Sequence, residues 1–236
     1  MPLAAGTRAA FAAVVGDDHA RDDEAALTVY GADALQRGSR PDLVLLPGSV
    51  GEVSAIARHC DAERIPLVVR GAGTGYTGGA VPVRGGIVVS MERFDRILEI
   101  DDTNMLAVVQ PNVLTGRLQE AVEARGLFYP PDPASLHISA IGGNVAECAG
   151  GPRAVKYGTT RRYVLALQAV LPTGEVIRTG SKAVKNVVGY DLTQLLVGSG
   201  RDLAILTEIT LRLCPGRPPS RRSARHSRTS ARPWTA

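Results

Sequence analysis

Hydrophobic and polar residues alternate along residues 205–213, where Ile205, Ile209 and Leu211 fall on one side of an extended chain and Glu208 on the other. A period of two predicts a half-buried β-strand. Shorter apolar runs that end at glycine, proline or polar residues predict further strands. These lie at residues 42–46, 66–70, 87–90, 97–100 and 105–110, and a hairpin is predicted from residues 163–171 and 176–179.

Apolar residues spaced three and four positions apart predict helices. They lie at residues 3–15, 49–60, 114–125 and 190–197. Ser49 and Glu52 form a capping-box pattern at the start of the second of these helices. Because strands and helices mix without a strict β-α-β repeat, the sequence predicts an α+β fold.

Three segments are distinguished along the chain. Residues 1–40 are interpreted as an N-terminal helix and a polar connector. Residues 41–214 form the predicted folded domain, with subdomains at about 41–102 and 103–214. Residues 215–236 hold six arginines, several serines and prolines, and no acidic residue. That composition predicts a disordered tail.

The net charge of +4 comes from that tail, because the rest of the chain carries 21 basic and 23 acidic residues. The tail lacks helical patterning and interleaved aromatic residues, so we expect no nucleic-acid partner. No apolar run is long enough for a transmembrane segment. Three widely separated cysteines are typical of a reducing compartment, which favours a cytoplasmic location.

The strongest chemical signal is a glycine loop at residues 71–79, with five glycines in nine residues directly after a predicted strand. Such a loop lets successive backbone N–H groups converge on a large anion, and a diphosphate fits that description. Gly73, Gly75 and Gly78 match the dinucleotide fingerprint in spacing. A strand rather than a helix follows, which argues against a Rossmann site. The alternative is a long flexible hairpin loop.

A second segment, residues 129–151, is rich in proline and in paired glycines. The prolines favour an extended, rigid wall. The pairs Gly142–Gly143 and Gly150–Gly151 would let the backbone approach a flat ligand closely. Taken alone, the same residues are equally typical of a turn-rich loop.

Several motifs follow one another along residues 41–214: RGAGTGYTGGA, LFYPPDPAS, IGGNVAECAGG, KYGTT, VLPTGEVI, KNVVGYDLT and ITLRL. In this order they resemble the FAD-linked subunits of bacterial glycolate oxidases. More broadly, they are similar to the FAD-binding domain of vanillyl-alcohol-oxidase-type flavoproteins, which include D-lactate and D-2-hydroxyglutarate dehydrogenases. The resemblance implies a two-subdomain FAD-binding domain of an oxidoreductase. Such an enzyme oxidises a 2-hydroxy acid by hydride transfer to flavin N5.

The resemblance also implies which residues contact the cofactor. The pyrophosphate would be held by Gly71, Ala72, Gly73, Thr74, Gly75, Gly79 and Ala80. The ribityl chain and isoalloxazine ring would lie near Pro131, Asp132, Ser135, Gly142, Gly143, Asn144, Gly150 and Gly151. The flavin and adenine sites would be completed by Tyr157, Gly158 and Ile205. Some relatives attach the flavin through a histidine of the glycine loop, and because this loop has none, FAD is expected to be noncovalent.

The stretch 198–205 departs from the family pattern. Arg201 and Ala204 stand where glycines are usual, and their side chains are expected to crowd the backbone beside the cofactor. Cys148 and Ala140 stand where asparagine and threonine are common. Relatives continue past the last strand into a cap domain that carries the catalytic histidine, so no catalytic residue is assigned here. The alternative function is therefore a truncated flavin-binding module without catalytic activity.

The four histidines are scattered and no spacing groups them as metal ligands, so no metal site is expected. His137, in the implied flavin segment, is the only one proposed as an acid or base. The resemblance implies three kinds of partner: a small 2-hydroxy acid, a flavin subunit and an iron–sulfur subunit of a glycolate oxidase complex. Partner subunits of that kind would place the protein at the inner face of the inner membrane, as an alternative to the open cytoplasm.

Overall fold

The computed structural model describes residues 4, 6–36, 38–183, 185, 187 and 189–216. Within them the helices are α1 (Thr7–Val15), α2 (Glu24–Tyr30), α3 (Val50–Ala62), α4 (Thr115–Glu123), α5 (Ile141–Ala146), α6 (Ala154–Tyr157) and α7 (Leu192–Leu196). The strands are β1 (Ala20–Arg21), β2 (Leu43–Leu45), β3 (Leu67–Arg70), β4 (Ile87–Ser90), β5 (Ile97–Asp101), β6 (Leu106–Val109), β7 (Leu127–Phe128), β8 (Val164–Val170), β9 (Val176–Gly180), β10 (Ile205–Arg212) and β11 (Cys214–Pro215).

The first sheet has the strand order β1-β2-β4-β3. Both β2 and β3 run parallel to β4, and α3 forms the crossover between β2 and β3. Phe11 of α1 and Ile56 of α3 share a core with Leu45 and Val89, so these helices cover one face of the sheet. β4 is buried along its whole length, as expected for a parallel strand covered on both faces.

Residues 17–40 are more ordered than the predicted connector. β1 pairs antiparallel with β2, and Leu27 of α2 packs against Val44 on the face opposite α1. Asp23 caps α2 by accepting a hydrogen bond from the N–H of Ala26 at 3.1 Å. The prediction failed because both elements are too short for a clear period and are stabilised by contacts with the sheet.

The second sheet has the order β5-β6-β10-β8-β9, and all neighbouring strands are antiparallel. β10 lies in the middle, with Ile209 opposite Val109 of β6. The prediction of a half-buried strand is wrong, because both faces of β10 are buried over most of its length, Thr210 included. Ile205 packs with the core of the first sheet and Leu211 with that of the second, so β10 contributes to both hydrophobic cores along its length.

The two sheets meet through direct contacts. β5 already pairs with β6, so the chain enters the second sheet between Ser90 and Ile97, earlier than the boundary expected near residue 102. The hydroxyl of Ser54 on α3 donates to the carbonyl oxygen of Gly174 at 2.5 Å. This bond links the crossover helix of the first sheet to the β8–β9 turn of the second.

Most predicted helices and strands occur within a few residues of their expected positions. Ser49 caps α3 as predicted, because its Oγ accepts from the N–H of Glu52 at 3.2 Å. The Glu52 carboxylate reaches back to the N–H of Gly48, one residue before the cap, at 2.8 Å. Two short helices, α5 and α6, lie in the segment that lacks periodicity. Pro215 pairs in β11 with β7, so it is not part of a tail, and residues 217–236 lie outside the described residues.

Candidate cofactor site

The glycine loop leaves the sheet at the carboxyl end of β3, where open parallel sheets commonly bind ligands. Across from it stand the start of α5, the turn that precedes it and the side chain of Arg201. Between them is a cavity of about 120 Å³. The site is therefore formed by both sheets, with the loop from the first and the opposite wall from the second.

Ten of the residues that the family resemblance assigns to FAD line this cavity together. They are Gly71, Ala72, Gly73, Thr74, Gly75, Gly79, Ala80, Ser135, Gly143 and Asn144. The lining also includes residues that were not assigned: Thr77, Pro133, Ala140, Glu147, Ala149 and Arg201. A Cβ atom built on Gly75 or Gly143 would meet no atom within 4 Å, so protein packing does not require glycine there. The open space in front of them has room for a diphosphate.

Three other residues assigned to FAD, within the segment 131–151, do not line this cavity and instead make contacts within the protein. The Asp132 carboxylate pairs with the Arg153 guanidinium at 2.9 Å and accepts from its backbone N–H at 3.1 Å. Gly151 has a φ of +135°, and a Cβ there would lie 2.1 Å from the carbonyl oxygen of Asp132. The carbonyl oxygen of Pro131 accepts from Gln119 Nε2 at 2.8 Å. These contacts close the loop on itself.

The remaining assigned residues also lie outside the lining of the cavity. A Cβ on Gly142 would lie 2.6 Å from that of Pro111, so glycine permits close packing at the start of α5. A Cβ on Gly158 would collide with the side chain of Arg162. A Cβ on Gly150 would lie in ordinary contact with that of Ala154, at 3.5 Å. Two further positions complete the set. The carbonyl oxygen of Tyr157 accepts from Tyr163, and Ile205 lines a separate cavity of about 470 Å³.

Asn144 lines the cavity from α5, and hydrogen bonds to neighbouring side chains fix its position. Its Nδ2 donates to Thr115 Oγ1 at 2.6 Å, and Thr115 Oγ1 lies 2.9 Å from the hydroxyl of Ser139. All three side chains are buried. The network fixes the orientation of α5, which contains two glycines and has little helix propensity of its own.

Arg70, the last residue of β3, anchors the glycine loop. Its guanidinium is buried and donates through Nη1 to the carbonyl oxygen of Ala32 at 2.5 Å. It also lies 5.8 Å from the ring centroid of Tyr30. A Cβ on Gly73 would lie 2.2 Å from Arg70 Nη2, so the loop packs directly onto this side chain. Burial lowers the pKa of Arg70, and the positive charge of Arg201 lowers it further.

Arg201 lines the cavity, although reasoning from the sequence did not assign it to the site. Its φ is +78°, and its side chain, only 14% exposed, points into the cavity. Nη2 donates to Glu147 Oε1 at 2.8 Å. Nη1 is buried and has no hydrogen-bond partner among the described residues. The side chain thus takes up space beside the glycine loop, at a position where the family resemblance implies glycine.

Arg201 also lines two further cavities. A small cavity of about 30 Å³, lined by Val69, Met91 and Ala204, and the larger one that includes Ile205 both have Arg201 in their walls.

The other candidate groups lie away from this cavity. His137 is exposed and outside its lining, and His59 packs edge-on against Phe11 with ring centroids 4.7 Å apart. Within the described parts of the chain, no three His, Cys, Asp or Glu residues are grouped as they would be around a metal ion. None of the helices described is long and apolar enough to span a membrane.

Comparison with known proteins places these features in a family. Residues 41–180 match the model of the FAD binding domain. The chain is 48% identical over 203 residues to the glycolate oxidase subunit GlcD of Bacillus subtilis, covering 86% of this chain and 43% of that protein. It is 42% identical over 205 residues to a D-lactate dehydrogenase of Anaerostipes hadrus, covering 86% and 41%.

The same fold is found in solved structures. The 4-ethylphenol oxidase of Gulosibacter chungangensis, in its isoeugenol complex, superposes with a TM-score of 0.76 and 27% identity, covering 91% of this chain and 43% of that one. The predicted α+β FAD-binding fold of the vanillyl-alcohol-oxidase type is confirmed. The chain spans less than half the length of the curated relatives it matches. With residues 41–180 matched and a diphosphate-sized cavity at its glycine loop, the chain belongs to the FAD binding domain family.

Proposed function

We propose that this chain binds FAD noncovalently and forms the flavin-binding part of an oxidoreductase that acts on 2-hydroxy acids. The observation that carries the proposal is the cavity in which ten of the assigned residues meet. The glycine loop provides backbone N–H groups for an extended anionic cofactor. At the start of α5, the N–H groups of Ile141 and Gly142 already donate to Val113 and Pro111, so that side contributes mainly the shape of the wall.

The diphosphate would lie against Gly73, Thr74 and Gly75, where the loop leaves open space. Ser135 and Asn144 would face the ribityl side. Ile205 and the cavity around it would take the opposite end of the cofactor. No histidine lies in the loop, which supports noncovalent attachment. Acid precipitation of the loaded protein should therefore release all of the flavin into the supernatant.

The substrate class comes from the relatives, which are named for glycolate and D-lactate. Bound FAD would supply a hydride acceptor at flavin N5 for a 2-hydroxy acid, which would lose its Cα hydride and its hydroxyl proton and become a 2-oxo acid. The protein orients that carbon and excludes water. Because GlcD is named as a subunit, flavin and iron–sulfur subunits are proposed as partners in the cytoplasm or at the inner membrane.

The visible absorption spectrum of the purified protein, recorded anaerobically before and after glycolate or D-lactate, tests the proposal. Flavin bands that bleach with substrate support the oxidoreductase. A protein that binds no FAD, even when FAD is added in excess, would refute the proposal.

A second candidate is a flavin-binding module without catalysis. One observation favours it: among the described residues lining the cavity, the only carboxylate is Glu147, which is already paired with Arg201. The lining thus offers no free general base. Flavin bands that do not bleach with either hydroxy acid would favour this candidate.

A further inference from the structure

We propose that Arg201 binds the diphosphate of the cofactor through Nη1, adding a charged ligand to a cradle otherwise made of backbone. This inference rests on the proposed FAD site. It concerns this chain in particular, because the family pattern has glycine at this position.

The geometry of Arg201 supports this role. A Cβ on Gly79 would lie 3.1 Å from Arg201 Nη1, so the guanidinium lies directly over the backbone of the glycine loop. Nη1 is buried without a partner among the described residues, although a buried N–H of a guanidinium is costly to leave unpaired. An anionic oxygen in the cradle would satisfy it. Such charge-assisted bonds are among the strongest that proteins make with phosphate.

The charge balance of the site points the same way. Arg70 is buried and Arg201 largely buried beside the loop, and the charge of Arg201 helps to lower the pKa of Arg70. Of the described side chains that line the cavity, only Glu147 carries a negative charge. Asp33 and Glu92 partly offset the charge of Arg70, and Glu147 and Asp202 that of Arg201, but Arg201 Nη1 keeps no partner among the described residues. A diphosphate bound at Nη1 would offset the repulsion between the two guanidinium groups.

The Glu147 carboxylate would compete with a bound diphosphate for the guanidinium of Arg201. Its Oε1 accepts from Nη2 at 2.8 Å and would also lie 3.1 Å from a Cβ on Gly79. The carboxylate thus holds the guanidinium in place but also brings negative charge to the site of an anion. Replacing it with glutamine keeps an oxygen for Nη2 and removes the repulsion.

The test is the affinity of the full chain for FAD, ADP, adenosine and riboflavin, measured by calorimetry. Arg201→Ala should weaken FAD and ADP about tenfold or more and leave adenosine and riboflavin unchanged, because only the first two carry a diphosphate. Glu147→Gln should tighten FAD and ADP. Arg178→Ala removes an equal charge at an exposed ion pair far from the cavity lining and serves as the matched control.

The outcomes separate this inference from the proposed function. If the unmodified chain binds neither FAD nor ADP, the proposed site itself is wrong. If it binds FAD and Arg201→Ala binds FAD as tightly, only the role of Arg201 is overturned. Tighter binding by Arg201→Gly would show that the arginine obstructs the site and would also overturn it. Arg201→Lys keeps the charge without the planar guanidinium, so its affinity for FAD should lie between those of the unmodified chain and Arg201→Ala.

Discussion

The guanidinium of Arg70 donates to the carbonyl oxygen of Ala32 at 2.5 Å, which ties the segment before the first parallel strand to the glycine loop. Ala32 lies outside residues 41–180, the part of the chain that matches the family model. The loop is thus anchored by a segment that lies outside the matched range. Arg201, on the other side of the cavity, lies outside the same range.

Arg70→Ala should lower the free energy of unfolding by about 1–3 kcal/mol, because it leaves the Ala32 carbonyl without its charged donor. The loop should also become more sensitive to proteases. Urea denaturation and limited proteolysis measure the two effects. As a control, Arg40→Ala removes only an exposed ion pair with Glu24 and should cost no more than about 1 kcal/mol. Equal losses in the two variants would contradict the anchoring role.

Gly73→Val should abolish FAD binding and also destabilise the fold. Its φ of +70° is unfavourable for a β-branched residue, and the new Cβ would collide with Arg70. The glycine is needed for packing of the loop as well as for room for the diphosphate. Thermal unfolding and FAD titration together measure both consequences.

Gly75→Ala separates these two effects, because a Cβ there meets no protein atom within 4 Å. The variant should unfold within about 0.5 kcal/mol of the unmodified protein. Its FAD affinity should nevertheless fall, since the methyl group occupies space in the cavity. Unchanged affinity would place the diphosphate elsewhere.

Asp132→Asn should change stability more than cofactor binding. The carboxylate accepts two hydrogen bonds from Arg153 and lies outside the lining of the cavity. Losing its charge should cost about 1–3 kcal/mol in urea denaturation. A large loss of FAD affinity in a stable variant would instead support the contact that the family resemblance implies.

The cysteines should differ in their reaction with iodoacetamide at pH 8. Cys60 is 4% exposed, and burial raises its pKa to about 12. Burial by itself also raises the pKa of Cys148, but hydrogen bonds from Thr159 and Arg161 and the charge of Arg161 together lower it. Because the thiolate is the nucleophile, Cys148 should be alkylated and Cys60 spared. Peptide mass spectrometry measures the labelling of each cysteine. Equal labelling of Cys60 before and after addition of urea would contradict the prediction.

The sequence was a good guide wherever one element has its own periodic signal. The strands of both sheets other than β1, the β8–β9 hairpin and the capping position at Ser49 were found in this way. α5 could not be predicted, because a six-residue helix with two glycines is stabilised by distant groups, namely Pro111 and Thr115. The orientation of Arg201 toward Glu147 depends on contacts far apart in the chain, and local patterns do not encode it.

The position of β10 between β6 and β8 has a consequence for synthesis on the ribosome. More than thirty residues of chain separate β10 from β8 and nearly a hundred separate it from β6. Both earlier strands are therefore made first and have unpaired backbone edges until the last long strand emerges. Such edges favour pairing with other chains, so the nascent protein is most prone to aggregate just before its final strand is available. Closure of the second sheet must then be a late, non-local and slow event in folding.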